Sequence, residues 1–139
     1  MRRVLVDTGP LVAILSQDDQ YHESCVAILR ELSQPLLSCW PVITEAAWML
    51  RAYPGAVQRL LKGIDGQFLQ LLPLAGAEAA AIASEMRKYE DLNPQLADVA
   101  LVYLSQREGI KTIFTLDQRD FFVYRGIRAR AFEIIPEPR

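Results

Sequence analysis

Histidine and cysteine are scarce here: one His and two Cys in 139 residues. That scarcity excludes much. Zinc sites draw on clustered His and Cys ligands, and Cys25 and Cys39 have no second Cys or His at ligand spacing. They read as free thiols packed as small hydrophobes. His22 reads as a solvated residue at a helix start, and no Ser–His or Cys–His pair for acyl transfer is in view. Long apolar runs are also missing. No segment approaches the roughly 20 residues that span a bilayer. The stretch behind Arg2 and Arg3 is broken at Asp7 and again at Asp18-Asp19, so neither a signal peptide nor a membrane span is expected, and the cytoplasm is the expected location. A net charge of −2 excludes a strongly basic nucleic-acid coat but leaves room for a local basic groove.

What remains is 51% hydrophobic and 23% charged, the balance of an ordered globular chain. Residues 1–139 are enough for one domain with a sizeable core. Short apolar runs alternate with helical patterns along it. Strands are expected at 3–7, 35–39, 68–73 and 111–115, with an edge strand at 129–135 before a Pro-rich tail. Between them the spacing predicts helices over 10–16, 21–33, 41–50, 55–64, 75–89, from Asn93-Pro94 to Glu108, and 117–124. Gly109 is the expected stop of the long late helix. Four to five strands alternating with helices predict an α/β domain with one mainly parallel sheet, covered by helices on both faces. Right-handed crossovers then bring the carboxyl ends of the strands to one rim, where ligands bind in open α/β sheets.

Carboxylates fall at that rim. Asp7 ends the first strand, Glu45 lies in the helix after the second, Asp98 lies early in the late helix, and Asp117 follows the fourth strand with Asp120 close behind. Each has an ordinary structural alternative. Asp7 suits helix capping, Glu45 suits the positive end of a helix dipole, and Asp117 and Asp120 suit a turn and a cap. Asp98 is the most telling. Its neighbours three and four residues on, Leu101 and Val102, are apolar, so it lies beside a buried stripe. A buried carboxylate needs a partner, either Arg, Lys or backbone N–H groups, or a shared cation. Two carboxylates 4 Å apart repel by about 4 kcal/mol at an effective dielectric of 20, and a divalent cation removes that cost. An all-oxygen donor set suits Mg²⁺ or Mn²⁺. Such a site fits hydrolysis of a phosphodiester by a metal-activated water better than acyl transfer.

Four motifs in order, Val4-Leu5-Val6-Asp7-Thr8, Glu45, Leu96-Ala97-Asp98-Val99-Ala100 and Thr115-Leu116-Asp117-Gln118-Arg119-Asp120-Phe121, resemble a PIN domain, most closely the VapC-type toxins of bacterial toxin–antitoxin pairs. The resemblance spans essentially the whole chain. It implies a small three-layer α/β/α nuclease with Mg²⁺- or Mn²⁺-dependent endoribonuclease activity. Asp7, Glu45, Asp98 and Asp117 match the family's acidic quartet, with Asp7 and Asp98 as principal metal ligands. Thr115 is a candidate for orienting a carboxylate or the attacking water, and Asp120 is a candidate extra acid. Relatives often carry an acid three residues before the late-helix Asp; here Gln95 stands there, which puts a second metal site in question. The resemblance also implies a homodimer and an antitoxin whose C-terminal segment covers the acidic rim.

RNA would need positive charge nearby. Arg119 and Arg125, with Arg128 and Arg130 behind them, are candidate phosphate contacts, although a solvated basic face explains them as well. Tyr21, Trp40 and Tyr124 are candidates for base stacking, with core or rim packing the preferred role for Trp40. Trp48 and the helices over 41–64 are candidates for an exposed apolar face. Two other readings compete with a nuclease. One is a non-catalytic PIN-like module that binds RNA or protein. The other is a phosphatase or phosphoacceptor domain, disfavoured because Gly9 stands where a second Asp is needed.

Overall fold

The computed structural model describes residues 2–66 and 68–137. Its centre is the strand β1 (Val4–Val6), three buried residues with two β-branched side chains. On one side lie β2 (Leu36–Ser38) and β3 (Leu69–Leu71), on the other β4 (Thr112–Phe114) and β5 (Glu133–Ile135). The order is β3-β2-β1-β4-β5, and every pair is parallel. Strand order reverses at β1, so the β1/β4 junction is the topological switch point of the sheet.

The connections are helical, as parallel strands require. α1 (Thr8–Leu15) and α2 (His22–Glu31) join β1 to β2, and α3 (Trp40–Leu50) and α4 (Ala56–Ile64) join β2 to β3. α5 (Ala79–Lys88) and α6 (Leu96–Glu108) return the chain across the sheet to β4, and α7 (Gln118–Val123) leads towards β5. α1 packs on α2, α3 and α4, while α5 packs on α6. Helices thus cover both faces, in the three-layer arrangement expected from the residues. The core gathers around β1, with Leu5, Leu11, Leu36, Ile43, Leu101 and Phe114 all buried.

Several boundaries differ from the expectation. The edge strand expected over 129–135 is a strand only at Glu133–Ile135, because Ile127–Ala129 forms a 3-10 turn and the parallel pairing with β4 begins at Glu133. α1 begins at Thr8, not Pro10, because Pro is tolerated anywhere in the first turn, where N–H groups have no intrahelical acceptor. The helix expected over 75–89 opens with a 3-10 turn at Gly76–Glu78 before α5 proper. Asn93 does not cap α6. It ends a 3-10 turn (Glu90–Leu92) in the left-handed region at φ 50°, and Gln95 is the residue before the helix. Gly109, at φ 69°, closes α6 as expected. Pro138 and Arg139 of the Pro-rich tail lie outside the described residues.

Glu78 shows what an acid with a structural role looks like here. Its carboxylate accepts from the Ala75 N–H (2.7 Å), the Tyr103 hydroxyl (2.8 Å) and the Arg107 guanidinium (2.6 Å). These contacts pin the start of α5 to α6. The Ala75 N–H foremost, then Arg107 and Tyr103, hold its carboxyl down at about 2.

Candidate active site

The switch point is built by register. Val6 pairs with Phe114, and the Asp7 N–H donates to the Phe114 carbonyl at 2.9 Å. The next residues on the two strands, Asp7 and Thr115, therefore stand side by side. The Thr115 hydroxyl donates to Asp7 Oδ2 at 2.9 Å and accepts the Asp117 N–H at 2.9 Å. One buried threonine thus links the carboxylate after β1 to the backbone of the residue after β4. Thr115→Val keeps the shape and removes both bonds. Stability should fall by about 1–3 kcal/mol, the cost of stranding buried polar groups, while Thr115→Ser should recover most of it; denaturant titration reads both.

Asp7 is 5% exposed. It is the residue before α1 but makes no side-chain cap bond, and its Oδ1 has no hydrogen-bond partner. Asp98 sits in the first turn of α6, whose adjacent face is buried through Ala97, Leu101 and Val102. Asp117 precedes α7 and Asp120 lies in its first turn. Asp7, Glu45, Asp98, Asp117 and Asp120 line one open cavity of about 400 Å³. Oxygens of Asp98, Asp117 and Asp120 lie within 4.8 Å of one another. Asp120, which the sequence left between extra acid and helix cap, is one of these three.

Among the described residues, no ion pair involves these five acids; the pairs seen are Arg2–Glu133, Arg107–Glu78 and Arg107–Glu108. The consequences appear in the protonation of Asp98, Asp7 and Asp117. Burial pushes the Asp98 carboxyl up to about 8, and the charges of Asp7, Asp117, Glu45 and Asp120 push the same way. Burial lifts Asp7 to about 6, against the lowering pull of the Thr8 backbone N–H and the hydrogen bond from Thr115, with Glu45 and Asp117 adding to the rise. Asp117 is also raised, first by burial and then by Asp120. Glu78, hydrogen-bonded and paired, moves in the opposite direction. Desolvated carboxylates converging in a cleft without a cationic side chain are a setting for a bound cation. The donor set fits a hard divalent ion: it is all oxygen and includes one buried carboxylate oxygen without a partner. His22 is elsewhere, with Nδ1 2.7 Å from the Ala13 carbonyl oxygen, and Cys25 and Cys39 are buried free thiols.

Several cleft residues were not singled out as site groups from the sequence. Gln95 is the most informative. With its carboxamide oriented to suit its neighbours, the nitrogen donates to both Glu45 oxygens, at 3.0 and 3.2 Å. At the position where the resemblance implies an acid, this chain places a neutral donor that holds Glu45. Thr8, Asn93 and Met49 also line the cavity. The signal for Gln95 was its spacing, three residues before Asp98; its partner, 50 positions away, carried none.

The basic and aromatic candidates separate. Arg119 is exposed and its charge eases Asp117 down. Arg125 serves the fold instead. Its Nη1 donates to the carbonyls of Phe122, Val123 and Tyr124 at 2.8, 3.0 and 3.0 Å, a cation on the C-terminal end of α7. Tyr124 is fully buried, which removes it from the candidates for stacking on a base. Trp40, expected in core or rim packing, is 58% exposed, which excludes the core, and Trp48 is 64% exposed.

A five-stranded parallel sheet with an acidic cleft at its switch point defines a compact α/β class, and the PIN domain family matches residues 4–126. The chain belongs to the PIN domain family. It is 27% identical over 135 residues to Ribonuclease VapC26 of Mycobacterium tuberculosis, an alignment covering 96% of this chain and 100% of that protein. Among solved structures it shares its fold with Mycobacterium tuberculosis VapC20, described as a sarcin-ricin-loop-cleaving toxin. The TM-score is 0.72 at 12% identity, over 79% of this chain and 86% of the other.

Proposed function

We propose that residues 1–139 form a single nuclease domain, a divalent-cation-dependent endoribonuclease that acts as the toxin of a toxin–antitoxin pair. One observation carries this: five carboxylates from four separate elements converge at the sheet's switch point, and among the described residues no cationic side chain pairs with them. The likeness to a protein named ribonuclease and to one described as a toxin supports the choice of substrate.

In this reading Asp7, Glu45, Asp98 and Asp117 are the catalytic acids and hold Mg²⁺ or Mn²⁺, with Asp120 beside them. The ion, when bound, would supply positive charge to a phosphodiester and lower the pKa of a water at the site. The protein's own groups set the rest. Thr115 fixes one oxygen of Asp7 and leaves the other to the cleft. Gln95 fixes Glu45. Arg119 is the exposed cation next to Asp117 and the better placed of the two arginines for a phosphate.

The test is a panel of structured and single-stranded RNAs incubated with Mg²⁺, Mn²⁺ or chelator. Cleavage with either ion and none with chelator is expected. RNA binding that survives chelation, without cleavage under any divalent ion, would point to the non-catalytic module instead.

We infer an antitoxin whose segment covers the open acidic cleft, and a location in the cytoplasm with the RNA; no described helix is long and apolar enough to cross a membrane. We also infer a homodimer. A second groove, lined by Trp40, Pro41, Thr44, Trp48, Leu96 and Ala97, meets the cleft at Glu45 and Gln95 and is largely apolar. Exposed aromatic and aliphatic side chains at this density are a mark of an interface. Trp48→Glu should shift the molar mass in light scattering from dimer to monomer without loss of helical signal. A parent that already runs as a monomer removes the dimer from this reading.

A further inference from the structure

Of the three candidates for base stacking, Tyr124 is buried and Trp40 lies in the apolar groove. Tyr21 is 45% exposed and lines a separate pocket of about 510 Å³ with Ser24, Leu116, Gln118, Pro136 and Glu137. This pocket adjoins the acidic cleft. Leu116 lines both, so its side chain is a wall common to the two. That wall is backed by α1, which comes so close at Gly9 that a Cβ there would meet the Leu116 side chain at 3.4 Å. The run Leu116-Asp117-Gln118-Arg119 then sets down, in order, the shared wall, a cleft acid, a pocket carboxamide and an exposed cation.

The Tyr21 ring stands on a fixed backbone. Its N–H donates to Asp19 Oδ1 at 2.8 Å, and its carbonyl accepts the Cys25 N–H at 2.9 Å and the Ser24 hydroxyl at 3.1 Å. A half-exposed tyrosine held this way offers a flat face at little entropic cost. The polar atoms around it are chiefly acceptors. Gln118 Nε2 is committed to the Pro136 carbonyl at 2.5 Å, which leaves Oε1 as an acceptor. Ser24 has given its proton to the Tyr21 carbonyl. Glu137, when ionised, only accepts, and it forms no ion pair among the described residues. No Lys, Arg or His lines the pocket among the described residues, so a phosphate would meet the Glu137 charge with no cation to offset it. A flat ring with donors on its edge fits instead. Of the RNA bases guanine fits best, because its N1–H and N2 amino group lie side by side and match the two oxygens of a carboxylate.

We propose that this pocket is the subsite for one nucleobase of the RNA, a guanine beside the scissile phosphate, with Tyr21 stacking on its face and Glu137 accepting from its edge. This rests on reading the cleft as a nuclease site. A phosphodiester held at the acids has its flanking nucleoside within reach across Leu116. Stacking and edge contacts of this kind are how single-stranded RNA is read.

The test begins without metal and without phosphate. Guanosine and uridine are titrated onto the full chain in chelator, and binding is read by saturation-transfer NMR on the base protons. Guanosine should bind at least about 5-fold more tightly than uridine, the low end for one bidentate contact. Tyr21→Ala should weaken guanosine binding about 5–150-fold, and Tyr21→Phe should recover most of that. Glu137→Gln should bring guanosine down to the level of uridine. Melting checks each variant's fold; if Tyr21→Ala does not fold, Glu137→Gln still decides. A random single-stranded RNA pool is then cut with Mn²⁺ and the ends are sequenced. Parent cuts should lie at a fixed offset from a G, and Glu137→Gln should lose that enrichment. Guanosine binding that is equal in the parent and in Tyr21→Ala overturns the proposal. So does uptake of neither nucleoside, which would leave the pocket to a side chain of a protein partner. Cleavage without G enrichment keeps the nuclease reading and removes the subsite. Guanosine held through Tyr21 in a chain that cuts no RNA keeps the base site and removes the nuclease reading.

Discussion

Replacing Asp98 with Asn should stop RNA cleavage while leaving the fold intact. Asp98 is where burial and four like charges meet, and no cationic side chain among the described residues pairs with it. In a nuclease this carboxylate must ionise to hold the cation, so removing it takes away both charge and a ligand. A loss of about 10²–10³-fold or more is expected, the scale of removing one group from a preorganised electrostatic site. Stability should move the other way. Asn is nearly the same size and cannot carry the charge that its neighbours oppose, so metal-free Asp98→Asn should melt at or above the parent at pH 8. A structural acid behaves differently: Glu78→Gln should lower the melting temperature, because Glu78 accepts three hydrogen bonds that suit its charge. Cleavage by Asp98→Asn at the parent's rate would sink the assignment of the cleft.

The second large effect is on pH. Asp7 and Asp98 have folded-state values of about 6 and about 8, both above the ordinary 3.8. The folded state therefore holds protons that the unfolded chain has released. Stability from these groups is complete below about pH 4 and is lost as pH rises through 6 and then 8. The metal-free protein should melt at a lower temperature at pH 8 than at pH 5. A divalent cation competes with the same protons, so its affinity should rise across that window. Mn²⁺ should then raise the melting temperature more at pH 8 than at pH 5. Asp98→Asn should flatten the pH slope and blunt the Mn²⁺ effect. A metal-free melting temperature that is the same at both pH values in the parent and in Asp98→Asn would show that the two carboxyls do not titrate as a stressed cluster.

The other effects are smaller because they act through neighbours. Thr115 holds Asp7 from the buried side of the cleft, and Trp48 lies on the apolar face outside it. Their outcomes separate three layers of the same site: the acids, the groups that hold them, and the surface around them.

Much of this was legible in local sequence. Val4-Leu5-Val6 followed at once by Asp7 marks a buried strand delivering a carboxylate, because an apolar run that ends in charge without a polar loop has few other uses. Asp98 beside Leu101 and Val102 was legible for a similar reason: helical spacing alone puts it next to the core. Strand and helix alternation was enough for a parallel sheet, since parallel neighbours need crossover helices. The errors were local as well. Pro10 and Asn93 carry strong local signals, but each fits more than one position near a helix end, and packing chose between them.

Tertiary structure alone decided what the acids touch. Thr115 and Asp7 are 108 residues apart and meet only through the β1–β4 register. Glu45 and Gln95 meet only where α3 and α6 approach. Whether an aromatic is exposed or buried was likewise undecided: Trp40, placed by the sequence in core or rim packing, faces out, and Tyr124, a candidate for base stacking, faces in. The reason is physical. Periodicity reports which face of an element is apolar, and so it determined here that acids gather at one rim. Hydrogen bonding and desolvation depend on distances of a few ångströms between segments that the chain order does not join. They fixed which acid is held by Thr115, which by Gln95, and why Asp98 is the one pushed furthest from its ordinary charge.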